Sequence, residues 1–336
     1  MPASSGPLRM LRSASAAAAA AFVALWSTGF IVARAIKPYA DPNLYLLARF
    51  CGTALLYAGI ALAARAPWPA PREWGRHLLA GALLQGFYLS ASYWAVAHGL
   101  SAGVMALLGA LQPLATAALA APLFGERLAA RGWFGMALGI AGVALVLAPK
   151  LGDAPAAAGD APAWAVVAIA IAAVGSITAG SLYQKTSLAK ADLRIAVALQ
   201  NLGAALVAGA AAVALGETRW HGAPALWFSL AWGIGMLSGV AVMLLMAMLR
   251  RGEAARATSL LFLAPPLAAL QGYALFGETL VPLQLAGFAL ALEGVMNFAA
   301  DRARCRDENP QALSERCKRR RMVVRSAVSG AGARRQ

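Results

Sequence analysis

The side chains that could do chemistry here are few, because most of the sequence is apolar. Glu293 is the one acid deep inside an apolar run, about ten residues from its start. A carboxyl group in a low-dielectric setting ionises with difficulty, which suits taking up and releasing a proton. The alternative for it is a neutral, hydrogen-bonded acid at a helix interface. Arg49 stands about seven residues into another such run, or ~10 Å deep at ~1.5 Å per residue. A guanidinium at that depth needs an anionic group from a ligand, a backbone carbonyl, or a route for its long stem back to the interface. Trp26, Tyr88, Tyr93 and Trp94 offer rings that can line a pocket for an apolar or aromatic group, or hold a cation. Trp94 also suits a membrane-interface belt. Gln112 carries both donors and an acceptor, for a ligand or for a neighbouring helix. It precedes Pro113, and Pro265 and Pro266 form a similar break later in the chain. Each proline removes a helix hydrogen bond and clashes with the turn before it. The outcome is a static kink, or a hinge whose freed carbonyls face a cavity.

Other patterns fail on context. Gly99-Leu100-Ser101-Ala102-Gly103 has the spacing of a nucleophile elbow but follows no strand and has no acid–histidine pair to serve it. Ser187-Leu188-Ala189-Lys190 lacks the companion motifs of Ser-x-x-Lys enzymes, and Gly233-Ile234-Gly235 lies inside an apolar run rather than after a strand. His77, His98 and His221 are scattered, and Cys51, Cys305 and Cys317 have neither zinc spacing nor a disulfide pattern. No metal, cofactor or nucleotide site is expected.

The elements that must position these residues follow from composition. Of 336 residues, 60% are hydrophobic and 13% charged, against about 25% charged in soluble domains. The apolar residues come in runs of about 20, enough for a helix to cross a ~30 Å hydrocarbon core. Lipid offers no partners to unpaired backbone groups, so spanning segments without barrel-like alternation are helices. The expectation is an all-α polytopic membrane protein with ten transmembrane helices, at 16–36, 43–63, 78–97, 103–124 and 132–148, then 163–183, 195–215, 226–249, 258–276 and 282–299. Arg9 and Arg12 ahead of an alanine run resemble a signal peptide, but the run continues to Ala33, so an uncleaved first helix is expected. The stretch 149–162, rich in Pro, Ala, Gly and Asp, reads as a linker between 16–148 and 163–300. Residues 1–15 and 301–336 are then terminal segments.

Charge sets the orientation. Arg65, Arg72 and Arg76, Arg127 and Arg131, Lys185, Lys190 and Arg194, and Arg250, Arg251 and Arg256 fall on one side, against Arg34, Lys37, Lys150 and Arg219 on the other. By the positive-inside rule both termini are cytoplasmic. The net charge of +15 resides largely at helix ends and in the tail, which argues against nucleic-acid binding. Lys318-Arg319-Arg320-Arg321 in that tail suits anionic lipid, or is simply solvated.

An internal repeat is the most informative pattern. Phe124-Gly125-Glu126 returns as Phe276-Gly277-Glu278, an offset of 152 at which Pro113 also meets Pro265, and Gly135 and Gly142 meet Gly287 and Gly294. Five helices per half is an odd number, so the second copy enters the membrane upside down, an architecture common in secondary transporters. Gly135/Gly139 and Gly235/Gly239 have the spacing of close helix contacts.

Trp26-Ser27-Thr28-Gly29-Phe30, Leu47-Ala48-Arg49-Phe50, the Gln112-Pro113 break and the two Phe-Gly-Glu motifs, in that order on ten spans, resemble the drug/metabolite transporter superfamily, EamA type, over about residues 16–300. The basic tail is outside the family pattern. The resemblance implies an exporter of small metabolites, often amino acids or related compounds, in the bacterial inner membrane. It implies a central cavity lined by helices one, three, four, six, eight and nine, with five and ten peripheral. Trp26, Thr28, Tyr88, Tyr93 and Gln112 become substrate-binding candidates, Pro113, Pro265 and Pro266 hinges, and Arg49 and Glu293 candidates for charge or proton coupling. A membrane scaffold or partner subunit, a channel or scramblase, and a membrane-embedded enzyme are the alternatives.

Overall fold

A computed structural model describes residues 6–124, 130–152, 161–187, 192–244 and 261–307. Glu126, the middle of the 149–162 linker and Lys318–Arg321 lie outside the described residues. The chain runs through α1 (Gly6–Ile36) and α2 (Pro42–Ala63), then a rod made of α3 (Pro71–Gly81), the π-helical segment π1 (Ala82–Phe87) and α4 (Tyr88–Ala97). Next come α5 (Ala102–Ala110), α6 (Gln112–Phe124), α7 (Ala130–Gly152), α8 (Ala163–Ser187) and α9 (Leu193–Ala214). A second rod joins α10 (Pro224–Ala231) to π2 (Trp232–Ala241), and α11 (Ala264–Phe276) and α12 (Pro282–Asp307) finish the described chain. Among the described residues there is no strand, only an isolated bridge between Ala40 and Trp220.

Seven stretches are long and apolar enough to cross a bilayer: Ala18–Ile36, Pro42–Ala63, Ala102–Leu119, Gly132–Pro149, Ala163–Gln184, Leu193–Ala214 and Pro224–Leu244. The further spans expected at 78–97, 258–276 and 282–299 are not among them. Gln85, Ser90 and Ser92 dilute the first, the second begins outside the described residues, and Gln284, Glu293 and Asn297 dilute the third. Burial is distributed as lipid demands. Leu55 and Leu206 are 74% and 62% exposed in mid-helix, while Ser27, Arg49, Thr53, Ser92, Thr178 and Asn201 are buried. A soluble protein would place these groups the other way round.

α2 and α9 share one local design. Each has 22 residues, follows an aspartate (Asp41, Asp192), and closes through a left-handed residue, Arg65 (φ 49°) or Gly216 (φ 63°). The N–H groups of Ala66 and Glu217 then reach back to the carbonyls of Ala61 and Ala212, the long bond of a helix-terminating turn. These positions lie 151 residues apart. The two π-segments overlap at nearly the same offset. The helix breaks do too: Leu111 interrupts α5–α6 two residues before Pro113, and a turn at 262–263 precedes Pro265.

α7 and α12 pack antiparallel through glycines. A methyl group on Gly142 would lie 2.6 Å from the Gly287 carbonyl, and one on Gly287 would lie 2.6 Å from that of Gly142. Gly135 and Gly294 meet in the same reciprocal way, at 2.7 and 2.5 Å. Only glycine allows this approach. Gly235 and Gly239 correct the expectation of a matching contact. Nothing lies within 4 Å of a methyl on Gly235, and Gly239 would touch only the Ile234 carbonyl, at 3.5 Å. Both fall in π2, whose wider turns change the faces that a four-residue spacing brings together.

Candidate functional site

Four consecutive residues of α1 reach different neighbours, because each turns about 100° from the last. The Ser27 hydroxyl accepts a hydrogen bond from Gln271 Nε2 on α11 (3.0 Å). The Thr28 hydroxyl accepts one from Trp232 Nε1 at the start of π2 (3.0 Å). Both hydroxyls also donate back to carbonyls of their own helix, at Ala24 and Leu25. The Gly29 carbonyl accepts from the Tyr93 hydroxyl on α4 (2.9 Å). The Phe30 ring meets Tyr88 edge-on at 6.3 Å. The short motif Ser27–Phe30 therefore joins residues of the first half to Trp232 and Gln271 of the second.

α2 supplies the charge. Tyr45, Arg49, Thr53 and Tyr57 recur every four residues and share one helix face. The Tyr45 hydroxyl donates to the Ser229 carbonyl and the Tyr57 hydroxyl to that of Ser238, both at 2.7 Å. These carbonyls flank and enter π2, where i→i+5 pairing replaces the α-helical pattern. Arg49 is 7% exposed, and its Nη1 donates to the Tyr93 hydroxyl at 3.2 Å. Tyr93 lies parallel to Tyr45 at 6.1 Å. Gly233 makes room for this stem, since a methyl there would sit 3.0 Å from Arg49 Cδ and 2.9 Å from the Tyr45 hydroxyl. Arg49 Nε, Thr53 Oγ1 and Gln271 Oε1 are buried without a hydrogen-bond partner.

Thr28, Arg49 and Tyr93 thus come together, with Tyr88 one shell away over Gly109. Other candidates are placed elsewhere. Trp26 is 41% exposed and packs on Phe22. Gln112 donates to the Ser181 hydroxyl on α8 at 2.7 Å, which is the helix-to-helix bond weighed against ligand contact. Trp94 stacks on His98 at the end of α4, at 3.9 Å. Pro113 and Pro265 sit in the first turns of α6 and α11, with Pro266 beside Pro265. Glu293 is exposed on α12 in a shallow groove with Ala289, Leu292, Met296 and Asn297, away from the cluster. Trp232, Gln271, Tyr45 and Gly233 were not singled out for this cluster. The four-residue spacing of Tyr45 and Arg49 was a visible signal, but nothing in the sequence pairs Trp232 with Thr28.

One end of the cluster is clasped by the second Phe-Gly-Glu motif. Gly277 takes φ 65° after α11, a left-handed conformation that glycine adopts without side-chain penalty. The chain turns so that Glu278 accepts from the Ala102 N–H at the start of α5 (3.1 Å) and pairs with Arg34 Nε at the end of α1 (3.3 Å). The Arg34 guanidinium lies 6.0 Å from the centre of the Phe276 ring. Nearby, the loop after α9 grips the start of α2. Glu217 accepts from the N–H groups of Asn43 and Leu44 (2.8 and 3.1 Å). Asp41 accepts from those of Thr218 and Arg219 (3.1 and 2.9 Å). Among the described residues no group of His, Cys, Asp and Glu could hold a metal ion.

Residues 13–148 match the EamA-like transporter family, a family of membrane transporters within the drug/metabolite superfamily. The seven apolar helices agree with that match. One solved structure, described as "Crystal structure of protein", superposes with a TM-score of 0.58 over 85% of this chain and 97% of its own, at 21% identity. That likeness concerns the fold alone. A search of curated proteins finds none that matches significantly.

Proposed function

From a first half that matches the EamA-like transporter family, we propose that the whole chain is a secondary transporter exporting small metabolites across the bacterial inner membrane by alternating access. In this reading ten spans form two inverted five-helix repeats, 16–148 and 163–300, with both termini cytoplasmic. The observation that carries it is the cluster just described. Thr28, Gly29, Arg49 and Tyr93 from the first repeat meet Trp232 and Gln271 from the second, inside a shell of exposed apolar side chains. Ionisable groups buried between the helices of a membrane protein face a bundle interior or a solute path.

Three further features support the repeat reading. The matching closures of α2 and α9, the matching breaks before Pro113 and Pro265, and the reciprocal glycine contacts of α7 and α12 recur at offsets of 151–152. Two contacts that change places when the halves are exchanged, Gly142–Gly287 and Gly294–Gly135, are what a pseudo-two-fold axis produces. Rocking of one repeat against the other would then need Gly277, Pro113 and Pro265 to absorb the change. Glu293, on the outward face of α12, lies off this path.

The test is a comparison of solutes in medium and cells for wild type, Thr28→Val and an empty control at matched expression. A compound class that accumulates outside with wild type and falls with Thr28→Val supports export. Saturable counterflow of that compound in liposomes of pure protein separates a carrier from a channel. Profiles identical to the control, with no counterflow for any solute tried, overturn the reading. Repeating the flux with and without a pH gradient reads proton coupling.

A further inference from the structure

We propose that the groove between the α3–π1–α4 rod and α9 holds one acyl chain of an anionic phospholipid whose headgroup is bound by Arg72 and Arg76. The site is separate from the cluster around Thr28 and Arg49. It goes beyond the transporter reading, since it needs only that the chain lies in a bilayer.

The groove follows from how the two rods meet. Gly81 and Gly203 bring them into backbone contact. Past Val207, α9 offers the seam only alanines, at 210, 211 and 214, and the opposing Ser90 and Ala91 are small as well. The seam is therefore left unfilled, as a groove of about 610 Å³ running from Leu79 to Ala91. At ~1.5 Å per residue this stretch covers ~18 Å, a little more than half of a ~30 Å hydrocarbon core and so the reach of one acyl chain. Its surface is hydrocarbon. Ser90 is the one polar lining residue, and its hydroxyl is buried. Leu79, Phe87 and Leu206 stand exposed along it.

Charge names the rest of the ligand. Arg72, Arg76 and Leu79 fall at i, i+4 and i+7 on one face of α3, and all three are exposed. The helix face that lines the groove at Leu79 thus continues into two guanidiniums. Among the described residues the ion pairs are made by Arg34, Arg194 and Arg219, so Arg72 and Arg76 are open to a ligand. Glu73, the acid of this turn, is one residue off that face, with His77 rather than Leu79 beyond it. A guanidinium meets a phosphate through two parallel bonds. Trp68 and Trp74 pack at 6.0 Å in the same segment, and Trp74 Nε1 donates to the Pro69 carbonyl at 3.1 Å. Such rings sit at headgroup level, which places the arginines among phosphates and Leu79 at the first methylenes. A second copy fits less well, because a two-fold pairing across this face would set Arg72 and Arg76 against their own counterparts. The rod belongs to the first half of the chain and α9 to the second, so a lipid chain in the groove touches both.

The test uses the full-length protein in detergent, with bound lipid counted by native mass spectrometry and melting temperature read in parallel. The probes are dioleoyl phosphatidylglycerol, dioleoyl phosphatidylcholine and dihexanoyl phosphatidylglycerol, which separate headgroup charge from chain length. Wild type is expected to retain dioleoyl phosphatidylglycerol and to melt higher with it, at concentrations where the other two do little. Arg72→Gln with Arg76→Gln should raise the concentration needed about thirtyfold, which is ~1 kcal/mol for each of two charges near the surface. Ala210→Phe fills the groove and should lose the response with both arginines in place. The proposal fails if the two dioleoyl lipids act alike on wild type. It fails if the dihexanoyl lipid matches its long-chain counterpart, which leaves a headgroup site and no chain in the groove. It fails too if the preference survives loss of both arginines, which assigns the lipid to Lys318–Arg321. A wild-type dimer on size-exclusion chromatography that Ala210→Phe turns into monomer puts a second copy in the groove instead. The wild-type comparison of the three lipids decides even if a variant does not fold.

Discussion

Two junctions in this protein occupy corresponding places and are built differently. In the first, Gly81 and Gly203 let the α3–π1 rod and α9 touch backbone to backbone. A methyl group on Gly81 would run into the Gln200 carbonyl, and one on Gly203 into that of Leu78. In the second, at offsets of 151–152, Gly233 faces Arg49 and Gly52 faces Ile234, and the contacts are with side chains only. Gln200 at the sealed junction corresponds to Arg49 at the other. One scaffold therefore supports a closed seam and, in its copy, a gap wide enough for Tyr45 and a guanidinium. In the transporter reading the closed seam is structure and the wider one is the site. In that same reading the repeat supplies the frame, and departures from it supply the chemistry.

The comparison breaks most sharply at its glycines. Gly203→Leu forces a side chain into backbone that cannot yield, and should abolish monodisperse folded protein on size-exclusion chromatography. Overpacking a core costs ~1–3 kcal/mol even where neighbours can shift. Gly52→Ala meets the flexible end of Ile234 and should fold, with a loss of stability below that range. Equal tolerance at both positions would show that the two junctions do not differ as described.

Exchanging the polar residues tests the same contrast more gently. Gln200→Arg places a second guanidinium in the sealed seam, where neither space nor anion awaits it, and should lower the melting temperature markedly, since an unpaired buried charge costs several kcal/mol. Arg49→Gln removes such a charge and should leave stability unchanged or raised. If both substitutions destabilise alike, Arg49 is a structural residue.

The clasp at Glu278 comes next in size. Arg34 and Glu278 have side chains 34% and 15% exposed, so the pair itself contributes ~0–1 kcal/mol. The bond to the Ala102 N–H adds a comparable amount. Glu278→Gln should therefore leave the fold intact but loosen this end of the cluster. A cysteine placed at Ser101, with Cys51, Cys305 and Cys317 replaced, should react several-fold faster with a membrane-impermeant thiol reagent in the Glu278→Gln background. An unchanged rate would mean that the clasp holds nothing shut.

Much of this frame was legible in the sequence. Runs of about 20 apolar residues fixed an all-helical membrane protein, and the two Phe-Gly-Glu motifs fixed the offset at which the helix breaks recur. Gly135, Gly139 and Gly287 read correctly as helix contacts because α-helical spacing carries over to packing. Gly235 and Gly239 misread because π2 changes that spacing, and no residue pattern announces a π-segment. The site was legible residue by residue and not as a set. Thr28, Arg49 and Tyr93 stood out by type, but their meeting with Trp232 and Gln271 depends on how distant helices pack. Trp26 and Gln112 were equally plausible by type, and packing sends one outward and the other to Ser181.

The smallest effect concerns the two aspartates that precede the matched helices. Asp192 caps its own helix: Oδ1 accepts from the Arg194 N–H at 2.9 Å, and the carboxylate pairs with the Arg194 side chain. Asp41 instead holds the distant loop at Thr218 and Arg219, while Glu217 satisfies the start of α2. The bond to Arg194 holds the Asp192 carboxyl below its ordinary value of 3.8. A depressed folded value means that the contribution is complete above the unfolded value and is lost as pH falls through the folded one. Asp192→Asn keeps the cap, since asparagine caps as well as aspartate, and removes only the charge. Between pH 6 and 4 its melting temperature should differ from wild type by a degree or less, and below pH ~3.8 the two should converge. Asp192→Ala should lose the cap as well, about 0.5–2 kcal/mol at every pH. Asp41→Asn is expected to act differently, because its partner is a loop on the other repeat: it should raise hydrogen exchange at Thr218 and Arg219 while leaving the start of α2 protected by Glu217. Exchange rising at Asn43 and Leu44 instead would show that Asp41 caps its own helix, and that the two helix starts are built alike after all.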